Sequence, residues 1–243
     1  MSASHMLDIA EAYDRYRRQC KESSLNAEAR KYCSYAPSGI DSDDLERLNT
    51  IVRNTDLLRD TDTVILHSSA DNGYPHTRPK RIICLPAGFV HSTDNEALRE
   101  TLCHEAIHIH QRANPDLWKR FCMAEGWTPV PDDKIPLRFR EKCRLNPDTL
   151  SPIRFWAWDT SFVPLPMFSR DIHITLADVK IQWYDLRTQA LFHSPPDSFT
   201  TTYGAPSQPE HPYEIYAVML AKEGITTRPG LALRLNNSYT EQA

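Results

Sequence analysis

The chain has 243 residues, 40% hydrophobic and 25% charged, the balance of an ordinary globular core rather than a disordered or fibrous chain. Its formal net charge of −4 gives no reason to expect nucleic acid or an anionic membrane as partner. With 7 glycines against 18 prolines it holds no Gly-rich phosphate loop or dinucleotide fingerprint, which argues against nucleotide-dependent chemistry.

Residues 7–21 place Leu7, Ile9, Ala10, Tyr13 and Tyr16 at helical spacing, and 42–58 place Leu45, Leu48, Ile51 and Val52 likewise. These helices predict an N-terminal segment, residues 1–60, that caps a main domain of residues 61–243. A strand is expected over 61–67, then a turn at Asp71-Asn72-Gly73-Tyr74-Pro75. A second strand or strand pair is expected over 81–91. The basic cluster Arg78-Pro79-Lys80-Arg81 reads as a solvated rim. Thr93-x-x-Glu96 has the form of a capping box and opens a helix over 94–112. Asn114-Pro115 ends that helix and starts another, which Gly126 stops.

Residues 127–152 are proline-rich and read as loop. Residues 153–158, 172–176 and 179–184 read as antiparallel strands, and 193–210 as a Ser/Pro/Thr loop. A last helix is expected over 212–223, closed by Gly224, with strand or coil after Pro229. The fold class this predicts is α+β. None of the six cysteines forms a CxxC pair, so reduced, buried thiols are expected rather than a zinc knuckle. No run of about 18 apolar residues predicts a membrane span, and residues 1–14 lack the pattern of a secretory signal. An intracellular, cytoplasmic location is the expectation.

The informative motif is His104-Glu105-Ala106-Ile107-His108. Residues four apart share a helical face, so both imidazoles can address one ion. Glu105 follows His104 by about 100° of rotation and can reach a water on that ion without being a ligand. Leu98, Leu102, Ala106, Ile109 and Ala113 cluster within about 80° of rotation, nearly opposite the two histidines. Cys103 and Ile107 add apolar character on further sides, which predicts a helix sandwiched between neighbours. Two imidazoles inside such a sandwich are costly unless paired, and a metal would pair them. His110 points about 160° away from His108 and is excluded as a ligand.

A catalytic zinc usually takes three protein ligands and keeps one open position. Nothing in 111–115 supplies a third histidine at the metzincin spacing. Glu214 is the first choice, because on the helix 212–223 it shares a face with Ala217, Val218 and Ala221. A carboxylate on a small apolar face is paired or metal-bound. Glu223 falls on the opposite side of that helix. Glu125 is the runner-up, followed by Asp159 and His173. The further donor that an amide-cleaving transition state needs is sought in Tyr203, His211 and His193, near the start of the last helix.

These residues resemble the gluzincin branch of the zincin metallopeptidases, in which His-Glu-x-x-His on one helix and a glutamate on a later helix bind zinc. The resemblance rests on two short helices. It implies a zincin-like fold, with the active-site helix on a small mixed or antiparallel sheet. It implies zinc on His104, His108 and Glu214, with Glu105 as general base, and a peptide or protein substrate that pairs with an edge strand, for which 81–91 is the candidate. Two alternatives stand beside it: a zincin-like binding or assembly protein without turnover, and a zinc amidohydrolase acting on a non-peptide amide.

Overall fold

A computed structural model describes residues 1–150 and 153–223, the side chain of Glu223 excepted; Gly224 and the tail after Pro229 lie outside the described residues. The chain is α+β, with two small sheets arranged around one long helix. Its N-terminal helices are α1 (Ala3–Asp14), α2 (Tyr16–Glu22), α3 (Ser24–Ala29) and α4 (Ser42–Arg53). The single helix expected over 7–21 breaks at Arg15, which adopts φ 54°. The cause is local. Asp14 Oδ1 accepts the amide of Tyr16, and Glu11 accepts those of Arg17 and Arg18, so the two acids cap a new helix. The break buries Tyr16 completely and leaves Tyr13 outside.

Strands β1 (Asp62–Leu66), β2 (His76–Arg78) and β3 (Ile82–Pro86) form a mixed sheet of order β1-β3-β2, with β1 parallel and β2 antiparallel to β3. The segment 81–91 is therefore no edge: β3 is central, and the residues after it form helix α5 (Ala87–Ser92). The outer strands are themselves covered. Residues 36–38 run along β1 through the Pro37–Leu66 bridge and the bonds Ser38 N to Ile65 O and His67 N to Ala36 O. On β2 the amide of Thr77 donates to Asp148 Oδ1 at 2.6 Å. Arg78 is buried rather than part of a solvated rim, because Asp14 and Glu11 bind its guanidinium at 2.7–2.8 Å. Lys80 and Arg81 are exposed, in the left-handed turn between β2 and β3.

Helix α6 (Asn95–Ala113) crosses this sheet, and α7 (Pro115–Ala124) follows it. Asp94 rather than Thr93 caps α6, accepting the amide of Ala97 at 2.9 Å. The predicted stripe holds for Leu98, Leu102, Ala106 and Ile109, which pack on Leu48, Ile83, Leu85 and Val90; Ala113, at the helix end, is exposed. Cys103 and Ile107 face the other way, into an aromatic core built on Trp118, Phe121, Trp127 and Tyr216. α6 is thus clamped between an aliphatic and an aromatic core.

The second sheet is antiparallel, in the order β4 (Trp127–Val130), β5 (Phe155–Trp158), β6 (Phe162–Phe168), β7 (Val179–Asp185), β8 (Leu191–Phe192). β4 and the short helix Leu137–Arg140 replace part of the loop expected over 127–152. The strand expected at 172–176 is a turn, with Ile172 exposed and His173 at φ 50°; β6 takes its place beside β7. Pro164 and Pro166 disguise β6, since proline is normally confined to strand edges. Pro166 is accommodated because its carbonyl side faces the incoming segment at Arg144 and not β7. Helix Asp197–Tyr203 forms inside the expected 193–210 loop, driven by Phe199, which is buried against Trp127, Trp158 and Trp183. The last described element is the helix Pro212–Glu223, which packs against α6.

Among the described residues no helix is long and apolar enough to cross a membrane. All six cysteines are free, and all but Cys33 are buried. Burial pushes the thiols of Cys84 and Cys143 up to about 12, so they are weak nucleophiles.

Candidate metal centre

His104 and His108 lie one turn apart on α6, and their Nε2 atoms are 3.0 Å from each other. The helix Pro212–Glu223 brings Glu214 to the same point. Its Oε2 lies 3.3 Å from His104 Nε2 and 3.2 Å from His108 Nε2. The two helices pack on one another, and Ala217 and Ala221, small and buried, belong to the same core as Cys103 and Ile107. Two imidazole nitrogens and a carboxylate oxygen are a zinc donor set. Atoms bound at 2.0–2.1 Å in a tetrahedron lie roughly 3.3 Å apart, so the observed spacing fits such an ion. His108 and Glu214 are buried, and His104 is partly open to a cavity of about 690 Å³.

The supporting atoms are equally ordered. Gln111 donates from Nε2 to Tyr213 O at 2.9 Å, which turns its Oε1 toward His108 Nδ1 at 2.7 Å. His108 Nδ1 therefore carries the proton, and its Nε2 keeps a lone pair for an ion. Asn146 Nδ2 donates to Glu214 Oε1 at 2.6 Å, which leaves Oε2 to the two histidines. Asn146 belongs to a strap over 143–148. Asn26 fastens that strap through Cys143 O at 3.0 Å and Leu145 N at 2.8 Å, and Arg30 fastens it through Leu145 O at 2.8 Å. Tyr16 and Arg30 also line the cavity. The N-terminal helices thus contribute Tyr16, Asn26 and Arg30 to the surroundings of the site.

Electrostatics match this picture. Burial pulls His108 down, but the Glu214 carboxylate outweighs it and lifts the ring to about 10. Burial pushes Glu214 up, but His108 and His104 hold it well below the usual carboxylate range. A cation at the focus of the three atoms would meet the same attraction, in competition with one proton. Glu105 behaves in the opposite way. Burial and the charges of Asp148 and Glu214 push its carboxyl well above the ordinary range. Its Oε2 is buried and has no hydrogen-bond partner among the described residues.

The other expected residues lie elsewhere. Tyr203 Oη is shared between Trp127 Nε1 at 3.1 Å and Tyr216 Oη at 2.7 Å, within the aromatic core. His211 accepts the Tyr213 amide at Nδ1 and turns Nε2 to Ile153 O, and burial drives it down to about 4. Neither lines the cavity, and His193, Asp159 and His173 are exposed. Glu125 ends α7, away from the cavity. His110 points away from the ligand atoms and accepts from Trp118 Nε1 at 3.0 Å. A second cluster of Asp41, Asp44 and His91 is on the surface, where Asp41 caps α4 and Asp44 pairs with Arg47.

Sequence reasoning missed Gln111, Asn146 and Asp148. Gln111 was within reach of it, three residues after His108 on the same helix. Asn146-Pro147-Asp148 carries no periodicity, and Asn146 meets Glu214 across 68 residues. No protein-family model, curated protein or solved structure matches the chain.

Proposed function

We propose that the chain is a zinc-dependent hydrolase that cleaves an amide bond in a peptide, with His104, His108 and Glu214 as zinc ligands and Glu105 as general base. One observation carries the reading. Three ligand atoms converge on a point, and beside them stands a buried carboxylate whose Oε2 no described residue satisfies. A site that only held an ion for structure would have no use for Glu105, which argues against a binding protein without turnover.

Zinc would supply Lewis acidity, polarising the scissile carbonyl and lowering the pKa of coordinated water. The chain's own residues divide the rest of the work. Glu105 Oε2 accepts the proton of the attacking water as its oxygen bonds to the carbonyl carbon. It then returns that proton to the amine nitrogen as the C–N bond breaks. Gln111 holds the His108 tautomer, and Asn146 aims the Glu214 carboxylate.

A Glu105→Gln variant should keep its zinc and lose hydrolysis by on the order of 10²–10⁴-fold. Metal analysis beside peptide turnover reads both. Unchanged turnover, or turnover by wild-type protein without stoichiometric metal, would overturn the assignment. A second reading, a compact non-peptide amide, draws support from the covered sheet edges. With the Thr77 amide occupied by Asp148, an extended peptide finds no strand partner at that position. A mixed peptide library left uncut by zinc-loaded protein would decide for it.

A further inference from the structure

The cavity that opens onto His104, Glu105 and Glu214 continues to a second polar pole, formed by Asp71 and His76. Both side chains are buried, with Asp71 3% and His76 2% exposed. Asp71 Oδ1 is fully engaged. It accepts from Tyr35 Oη at 2.7 Å, Tyr16 Oη at 2.8 Å and Arg30 Nε at 2.8 Å. Asp71 Oδ2 has no hydrogen-bond partner among the described residues, and neither does His76 Nε2. His76 Nδ1 is turned to Tyr74 O at 3.3 Å and stands 3.5 Å from Asp71 Oδ2. In the neutral ring Nδ1 therefore carries the proton and Nε2 is an acceptor. Both atoms are buried without a hydrogen-bond partner, on two residues that line one cavity, an arrangement that native proteins rarely leave unanswered.

The backbone points the same way. Asp71 and Asn72 both adopt left-handed conformations, φ 42° and 56°, ahead of Gly73 at φ 90°. Non-glycine residues held there, with one of them buried, are strain that the surrounding contacts must enforce. The charge along the cavity gives a sign to the missing partner. Asp71, Glu210 and Glu214 are paired with Arg30, Arg144 and the two histidines, and beyond these pairs the acids Glu100 and Asp148 line it against Lys222. A cleft with an excess of one sign concentrates ligands of the other.

We infer that the Asp71–His76 pole is a binding subsite for a protonated nitrogen group on the substrate, whose N–H bonds go to Asp71 Oδ2 and His76 Nε2. An ammonium fits, since it offers three donors and no acceptor. Its source is the free N-terminus of a peptide or a lysine side chain. Arg30 is no competitor for the position, because its Nε, Nη1 and Nη2 are spent on Asp71, Asn26 and Leu145 O. The purpose of the subsite rests on the hydrolase reading; its detection does not.

The test measures binding by calorimetry to full-length, zinc-loaded Glu105→Gln protein, which does not consume the probe. The four probes are Ala-Ala-Lys-Ala, its N-acetylated form, its norleucine form, and the peptide with both changes. The doubly blocked peptide should bind at least about tenfold more weakly than the parent, and the single block that reproduces the loss identifies the source. Asp71→Asn and His76→Phe should erase this discrimination while leaving zinc content intact. Should Asp71→Asn fail to fold, His76→Phe carries the test alone. Equal affinity for all four peptides, no binding by any of them up to millimolar concentration, or discrimination unchanged in the folded variants would overturn the subsite. Discrimination by protein that holds no zinc would sink the hydrolase reading and leave the subsite standing. Hydrolysis without discrimination would do the reverse.

Discussion

The two poles of the cavity are built on opposite rules. At the histidine pole two atoms that do not face the ligand point are tied back to protein: His108 Nδ1 to Gln111, and Glu214 Oε1 to Asn146. At the Asp71–His76 pole Asp71 Oδ1 and His76 Nδ1 are tied, while Asp71 Oδ2 and His76 Nε2 are buried without a hydrogen-bond partner among the described residues. On the proposed reading the first arrangement would fix three atoms for a small ion that tolerates little error in geometry. The second keeps acceptors desolvated for a group that arrives and leaves. Satisfaction of hydrogen bonds, more than residue type, separates a holding site from a reading site.

Removing a ligand should give the largest effect. His108→Ala or Glu214→Ala is expected to lose stoichiometric zinc and all measurable hydrolysis, and metal analysis of purified protein checks it. A full zinc complement in both variants would detach the motif from the metal and dissolve the contrast between the poles. Removing a support should cost less. Asn146→Ala and Gln111→Ala are each expected to weaken zinc about 10–100-fold, read by competition with a chromophoric chelator. Wild-type affinity in both would mean that the tied atoms at this pole are incidental.

The smallest effect concerns acid stability at the other pole. Burial pushes Asp71 up, but His76 when it carries a proton, Arg30 and the hydroxyls of Tyr35 and Tyr16 outweigh it and hold the carboxyl below its usual range. The unfolded chain thus binds this proton more readily than the folded one. The resulting stability is present above the ordinary carboxylate range, near pH 4, and is lost as pH falls through the lowered folded value. Asp71→Asn should therefore flatten the acid limb of the stability curve, measured by denaturant unfolding at stepped pH. An unchanged acid limb would show that the pole carries no such charge.

How much of this was legible in the residues follows from how local each feature is. The helix carrying His104 and His108 could be read except for its cap, which is Asp94 rather than Thr93, and the end of its stripe at Ala113, because its signals are local. Glu214 could be picked out because a carboxylate among Ala217, Val218 and Ala221 breaks the pattern of its own helix. Residues whose partners are remote could not be read. Arg78 looks like a surface cation until Asp14 and Glu11 fold back on it across 64 and 67 positions. β6 was hidden by its own prolines, and the helix at Asp197–Tyr203 forms for the sake of Phe199 and its tryptophan neighbours. Tyr203 and His211 were sensible candidates by proximity to the last helix, yet their polar atoms are committed to Tyr216, Trp127, Tyr213 and Ile153.

The strap that joins Asn26 to Leu145 and Asn146 to Glu214 has a consequence for the order in which the molecule comes into being. A ribosome delivers Asn26 first and must add 119 residues before the amide of Leu145 reaches it, and a further 68 separate Asn146 from Glu214. The long helix, with both imidazoles in place, can fold well before either event. A nascent chain therefore carries its most recognisable motif for much of its synthesis without the third donor, and the centre closes only when the helix Pro212–Glu223 has emerged and docked. Any shortened product ending between residues 109 and 213 would keep His104, Glu105 and His108 and be incomplete as the proposed metal site.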